Sequence, residues 1–173
     1  MDPAETEGEW TVTEIIIRRA EVRDTDAIHE IEQACFPDPW SRESIRAELA
    51  DNPDAYYLAA EIDGLVAGYA GLWRILDEGH ITNVAVRPEC RRQGIGARII
   101  GTLLAQTRQL GIRHHTLEVR ESNLPARALY EGFGFTSAGI RPGYYSSGHE
   151  NAVIMWRHDP EIETENEDSG NNI

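Results

Sequence analysis

At 173 residues, 40% of them hydrophobic, the chain is long enough to bury one full core and too short to be comfortable as two domains. All 16 basic residues are arginine and the formal net charge is -14, so the molecule as a whole repels nucleic acid and anionic membranes. No early segment joins a basic start to an apolar run, and no stretch approaches the roughly 18 apolar residues of a membrane span. Cys35 and Cys90 belong to no C-x-x-C or Cys/His spacing, which argues against a disulfide framework or a zinc site and for two reduced thiols in a cytoplasmic protein.

Residues 1–13 are acidic and aperiodic and read as a flexible extension; residues 14–158 read as a single domain; residues 159–173, with Glu163, Glu165, Glu167 and Asp168, read as an acidic disordered tail. The β-branched run Ile15-Ile16-Ile17-Arg18-Arg19-Ala20 predicts a strand. A helix follows from Asp24, its expected cap, to Phe36, with Ile28, Ile31, Ala34 and Cys35 toward the core. Pro37-Asp38-Pro39-Trp40 makes a stiff loop, and Ser41 caps a second helix through Leu49, with Ser44 at the third helical position. Strands are expected over residues 55–62, 65–75 and 80–86, the first two joined at Asp63-Gly64 and the last two by a turn around Asp77 to Gly79. A helix over residues 94–110 carries Ile95, Ile99, Ile100, Leu103 and Leu104 at helical spacing and stops at Gly111. His115 to Arg120 alternates as a strand, Asn123 or Ser122 caps a shorter helix to about Phe133, and residues 135–140 and 151–157 are two last strands. This order predicts an α/β fold: a mixed, mostly antiparallel sheet with flanking helices and one β-α-β crossover through the central helix, where strand pairing could open for a ligand.

The stretch Val84-Ala85-Val86-Arg87-Pro88-Glu89-Cys90-Arg91-Arg92-Gln93-Gly94-Ile95-Gly96-Ala97-Arg98 organises the rest. A P-loop is excluded because there is no lysine, and the dinucleotide pattern because Ile99 stands where its third glycine belongs. What remains is Arg91-x-x-Gly94-x-Gly96 at a helix start. There the dipole and bare N–H groups favour an anion, although a glycine pair at that place also serves as a plain tight turn.

The second stretch narrows this. Leu117-Glu118-Val119-Arg120-Glu121-Ser122-Asn123 runs on to Ala126-Arg127-Ala128-Leu129-Tyr130 and Gly132-Phe133-Gly134-Phe135. The two stretches together resemble the GCN5-related N-acetyltransferase (GNAT) superfamily. Phe36-Pro37 with Trp40-Ser41, Asn83-Val84-Ala85-Val86, Leu117-Glu118-Val119-Arg120 and Gly143-Tyr144-Tyr145 look like its ribosomal-protein alanine N-acetyltransferase (RimI-like) branch and the archaeal N-terminal acetyltransferases. The likeness spans residues 15–157.

The resemblance implies a GNAT-type fold with a β-α-β acetyl-CoA core and no metal. It implies that Val84, Ala85 and Val86 meet the pantetheine arm, and that Arg91, Arg92, Gln93, Gly94, Ile95, Gly96 and Ala97 cradle the pyrophosphate. Many relatives carry a basic residue directly after the second glycine; here Ala97 stands there and Arg98 follows. Glu118 is implied as proton acceptor, directly or through water, and Tyr130 as proton donor. Asn123 is a helix cap, a coenzyme contact or both. Phe36, Trp40, Tyr144 and Tyr145 would flank the acceptor, a protein N-terminus from a ribosomal protein or nascent chain. Arg120 reads as structural, pairing Glu118 or Glu121, and His80, His114, His115 and His149 as ordinary strand or loop residues. A small-molecule or lysine acetyltransferase and a non-catalytic acetyl-CoA-sensing subunit are the competing readings. Oligomeric state is not readable. Acidic surplus without lysine also resembles proteins of salt-accumulating halophiles, while an arginine-rich, GC-rich genome would give a similar bias.

Overall fold

The computed structural model describes residues 13–160. In chain order the elements are β1 (Ile15–Arg19), α1 (Thr25–Cys35), α2 (Arg42–Ala50), β2 (Ala55–Ile62), β3 (Leu65–Ile75), β4 (Glu78–Val86), α3 (Ile95–Gln109), β5 (His114–Arg120), α4 (Leu124–Gly132), β6 (Thr136–Tyr145) and β7 (Glu150–His158). The strands form one seven-stranded sheet in the order β1-β2-β3-β4-β5-β7-β6. Every pairing is antiparallel except β4 with β5, which α3 joins as a crossover. The mixed, mostly antiparallel α/β architecture expected from the chain is therefore present.

Strand alternation explains the layers. In β2, Tyr56, Leu58 and Ala60 face one cluster with the α3 residues Ile95, Ile99, Ile100 and Leu103, while Tyr57 and Ala59 face the other with Ile28 and Ile31 of α1 and Ile45 of α2. A strand covered on both faces reads as a continuous apolar run, which is how residues 55–60 read.

Two irregularities place the site. β4 and β5 are in register only at Glu78↔His114, Gly79↔His115 and His80↔Thr116, and beyond that no pairing joins them. On its other edge β4 carries a bulge: Gly71 pairs Asn83 and Leu72 pairs Ile81, so Thr82 is the extra residue. The sheet splits open along residues 81–86 and 117–120.

Several expectations change. Asp24 precedes α1 but does not cap it with its side chain. Its carboxylate instead accepts from Arg18 Nη1 at 2.8 Å and Nη2 at 2.9 Å, and from the Glu21 N–H at 2.8 Å. Burial pushes this carboxyl up, and the Arg18 fork more than offsets it, so it ends below the usual range. Ala34 is exposed; Glu32 takes the core position beside Ile28 and Ile31. β4 starts at Glu78, so the turn before it is only Leu76-Asp77. β6 runs to Tyr145 instead of ending at Ile140. Asp159, expected to open the tail, is buried: its N–H donates to the Arg113 carbonyl at 2.8 Å and its carboxylate pairs with Arg157 and Arg108. The N-terminal extension through residue 12 and the tail from residue 161 lie outside the described residues. Among the described residues no helix is long and apolar enough to cross a membrane.

Candidate active site

The split between β4 and β5 opens into a cleft of roughly 620 Å³, walled by both strands, the loop after α1, the start of α4 and the β6–β7 hairpin. Along its β4 wall, the edge of Val84 to Val86 turned toward β5 has no strand partner because β5 has already diverged; at its end the Val86 carbonyl accepts from Arg91 Nε and Cys35 Sγ. An extended amide-bearing ligand can pair there as an added strand would.

At the end of β4 the chain turns through Pro88–Cys90 and enters α3 with Arg92 at φ 61° and Gly94 at φ 74°, both left-handed. No side chain caps α3. Its first internal bond is Arg98 N–H to the Gly94 carbonyl at 3.1 Å, so the N–H groups just before it have no helical acceptor. A Cβ at Gly96 would meet Leu129 at 3.6 Å and Val86 at 3.9 Å, ordinary contacts. Packing therefore does not require glycine at 96, whereas close approach of a ligand to the backbone does. Arg92, Gln93 and Arg98 are exposed beside it. Arg91 is spent differently: its Nε donates to the Val86 carbonyl at 3.2 Å and its Nη2 to Cys35 Sγ at 3.4 Å, tying the loop to the end of β4. The cradle fits a diphosphate through N–H groups and the guanidinium groups of Arg92 and Arg98, which have no side-chain partner among the described residues.

Across the split, Leu117 and Val119 enter the core and Glu118 alternates into the cleft. Glu118 Oε1 lies 3.2 Å from Arg141 Nε of β6, and its side chain is 28% exposed. Arg120 does not reach Glu118 or Glu121. Residues two apart on a strand stand roughly 6.6 Å apart along it, and nearer acceptors are available. It bonds Glu150 at 3.2 Å and the Ser147 carbonyl at 3.1 Å, and lies 4.1 Å over the Tyr145 ring, bracing the β6–β7 hairpin. Asn123, not Ser122, caps α4, accepting from the Ala126 N–H at 3.2 Å, and it also lines the cleft. Tyr130 on α4 is buried against Phe135, with ring centroids 5.8 Å apart, and lines the cleft as well. Burial pushes its hydroxyl pKa well above the usual phenol value, so it holds its proton.

The acceptor-side residues come together at the mouth. Phe36 and Trp40 rise from the loop after α1, and Tyr144 and Tyr145 from the hairpin, their rings edge to face at 5.1 Å. Burial and the neighbouring Tyr144 push the Tyr145 hydroxyl up to about 12. Ser146 Oγ donates to Asp38 Oδ2 at 3.4 Å, bridging the two loops. Trp40 is fixed by its backbone: its N–H donates to Glu32 Oε2 at 2.9 Å, and its carbonyl accepts from His29 Nδ1 at 3.1 Å.

Sequence reasoning did not single out Glu32 or Arg141. Glu32 had a readable signal, being a carboxylate at helical spacing with Ile28 and Ile31 on the apolar face; Arg141 had none. Of the histidines, His80 lines the cleft beside Glu78 (3.0 Å), and His115 is fully buried. Among the described residues no three His, Cys, Asp or Glu side chains gather as a metal site.

Known proteins share the sequence and the fold of this chain. The family model described as "Acetyltransferase (GNAT) family" matches residues 25–135. A Bacillus subtilis (strain 168) protein provisionally named [ribosomal protein bS18]-alanine N-acetyltransferase is 41% identical over 144 residues, 83% of this chain and 95% of the relative. The [ribosomal protein bS18]-alanine N-acetyltransferase of Escherichia coli (strain K12) is 37% identical over 143 residues, covering 80% of this chain and 94% of the relative. A crystal structure of the ribosomal-protein-S18-alanine N-acetyltransferase from Escherichia coli superposes with a TM-score of 0.80 at 32% identity, covering 87% of this chain and 98% of that one.

Proposed function

The chain belongs to the acetyltransferase (GNAT) family and is an N-acetyltransferase, and from that premise we propose that it transfers acetyl from acetyl-CoA to the α-amine of a protein N-terminus, as the names of its relatives state for ribosomal protein bS18. Residues 14–159 would form the catalytic domain, acting in the cytoplasm, where ribosomal proteins and nascent chains carry free α-amines. The coenzyme supplies an activated thioester. Val84 to Val86 hold its arm through the backbone edge that β5 leaves without a strand partner, Gly94 to Ala97 hold its diphosphate through N–H groups with Arg92 and Arg98 beside them, and Asn123 borders the arm from α4.

Glu118 takes the proton from the acceptor's ammonium group, directly or through one water; its Oε2 is left for this while Arg141 occupies Oε1. The freed amine nitrogen attacks the acetyl carbonyl, the C–N bond forms, the nitrogen gives its second proton to solvent, and the C–S bond breaks. Tyr130, a weaker acid than a thiol near 8.5, gives its proton to the departing thiolate with hydrogen-bond and dipole assistance, and solvent restores it. An α-amine, with pKa about 7.7 to 8.0, costs roughly 3.4 kcal/mol less to deprotonate near neutrality than a lysine near 10.4, so a single carboxylate suits it better. Phe36, Trp40, Tyr144 and Tyr145 flank the first acceptor residues.

The observation that carries this reading is that Glu118 from β5 and Tyr130 from α4 line one cleft with Val84 of β4, the strand that leads on to the uncapped start of α3. The test is to incubate the protein, in high potassium chloride, with acetyl-CoA and peptides varied at their first two positions, and to locate the acetyl group by mass spectrometry. The expected product is α-acetylated; acetyl found only on lysine would overturn the N-terminal assignment. Glu118→Gln and Tyr130→Phe should each lower kcat by about a hundredfold or more. Unchanged transfer in both would overturn the mechanism.

A further inference from the structure

We infer that Asn83 Oδ1 is a binding site for the acceptor's amino group, oriented by the buried carboxylate of Glu32; this rests on the amine-acetylating reading above. Glu32 is 1% exposed, and an isolated carboxylate there would be costly. Three donors from three elements satisfy it. Oε2 accepts from the Trp40 N–H at 2.9 Å, and Oε1 accepts from Asn83 Nδ2 at 3.0 Å and from the Tyr69 hydroxyl. A carboxylate only accepts, so the Asn83 amide must turn its nitrogen toward Glu32 and its oxygen away. That oxygen is shielded from solvent and has no partner among the described residues, and Asn83 lines the cleft. Buried acceptors left without a donor are rare and costly, so a ligand N–H is the natural partner.

Its position selects which N–H. Asn83 directly precedes the coenzyme stretch Val84 to Val86, on the side away from the α3 cradle, which is the reacting end of the cleft. Glu32 also fixes the backbone of Trp40, so one carboxylate sets both the acceptor loop and this amide. The hydroxyl of Thr82 sits over Gly71 beside Tyr57, close enough to interact with that phenol, and is turned toward β3 instead. With Glu118 on the β5 wall and Asn83 on the β4 wall, the amine loses one proton to the carboxylate and donates a remaining N–H to the amide oxygen, which orients its lone pair. An amide suits this role better than a second carboxylate, which would stabilise the ammonium form.

Asn83→Ala tests this with three constants: KM for an acceptor peptide, KM for acetyl-CoA, and Ki for the same peptide with its α-amine replaced by hydrogen. The peptide KM should rise about tenfold, the scale of one hydrogen bond, with the other two constants unchanged. An unchanged peptide KM overturns the site. A parallel rise in the Ki of the amine-free peptide means that Asn83 only shapes the cleft; a rise confined to acetyl-CoA means that it serves the coenzyme. Either result overturns the inference. Thermal melting and coenzyme titration check that the variant folds; if it does not, Asn83→Ser, which keeps a smaller polar side chain, is read in the same way. Should the wild type acetylate lysine instead, the N-terminal reading fails by itself, and a lysine peptide compared with its norleucine analogue still reads the amine site.

Discussion

His115 is a residue whose chemistry is set chiefly by burial. It lies in β5 with none of its surface exposed, and its Nε2 stands 2.9 Å from Thr107 Oγ1 of α3. Desolvation, with the positive Arg157 nearby, pushes its pKa down to about 4 from 6.5. The unfolded chain therefore takes up this proton first as pH falls. The stability held by the neutral ring is fully present above 6.5 and lost as pH drops toward 4, by about 3 kcal/mol in all. Asp24, with its carboxyl below 3.8, contributes above that value and is lost only below it, so the two windows separate. Urea unfolding at pH 7.0 and pH 4.5 should show that His115→Gln loses about 2–3 kcal/mol less than the wild type between the two, whatever its absolute stability. Equal losses would mean that the ring is already charged or solvated in the folded state. Tyr130 works in the opposite sense: because burial raises its pKa, kcat should not fall through loss of its proton up to about pH 10, the ordinary phenol value.

At the scale of elements, the β3–β4–α3 unit decides whether the coenzyme edge is straight. Gly68 of β3 has no room for a side chain: a Cβ would stand 2.9 Å from the Ala85 carbonyl oxygen and 3.2 Å from both Ile99 and Val86. Gly68→Ala should push β4 away at Ala85, costing about 1–3 kcal/mol and raising KM for acetyl-CoA more than KM for the peptide. Calorimetric titration with coenzyme and a thermal melt read the two effects separately. The same unit separates what was legible in the sequence from what was not. The Asp63-Gly64 hairpin, the apolar period of α3 and the glycine start at Gly94 express local rules, and each stands where local rules put it. The sequence predicts a turn at Gly79, yet it lies inside β4, where a Cβ would be 2.7 Å from Leu72 and 3.0 Å from His115. Its reason is tertiary and leaves no local mark. The sequence predicts an end to β6 at Ile140, because Arg141-Pro142-Gly143 reads as a loop. As the outermost strand it tolerates Pro142, and the register shifts between Arg141 and Tyr145. The acceptor aromatics were legible by family likeness, but Glu32, Asn83 and Arg141 act through partners 51, 37 or 23 positions away in the chain, which spacing along it does not reveal.

For the whole molecule, charge is divided unevenly. Nine acidic and no basic residues fall in residues 1–12 and 161–173, so the described part, with 21 acidic and 16 basic residues, carries only -5 of the total -14. The resemblance to halophile proteins then becomes a measurable question with two salt dependences of opposite sign. Self-repulsion of an acidic chain is screened as the Debye length falls from about 30 Å at 0.01 M to about 3 Å at 1 M, so the melting temperature should rise with potassium chloride. Attraction of a diphosphate to Arg92, Arg98 and the α3 N-terminus is screened by the same ions, so the coenzyme Kd should weaken over that range. If the terminal charges carry the first effect, a chain trimmed to residues 13–160 should lose most of the rise in melting temperature while keeping the salt dependence of coenzyme binding. A trimmed chain that still gains stability with salt would instead locate the repulsion within the folded domain, whose 21 acidic and 16 basic residues leave it at -5.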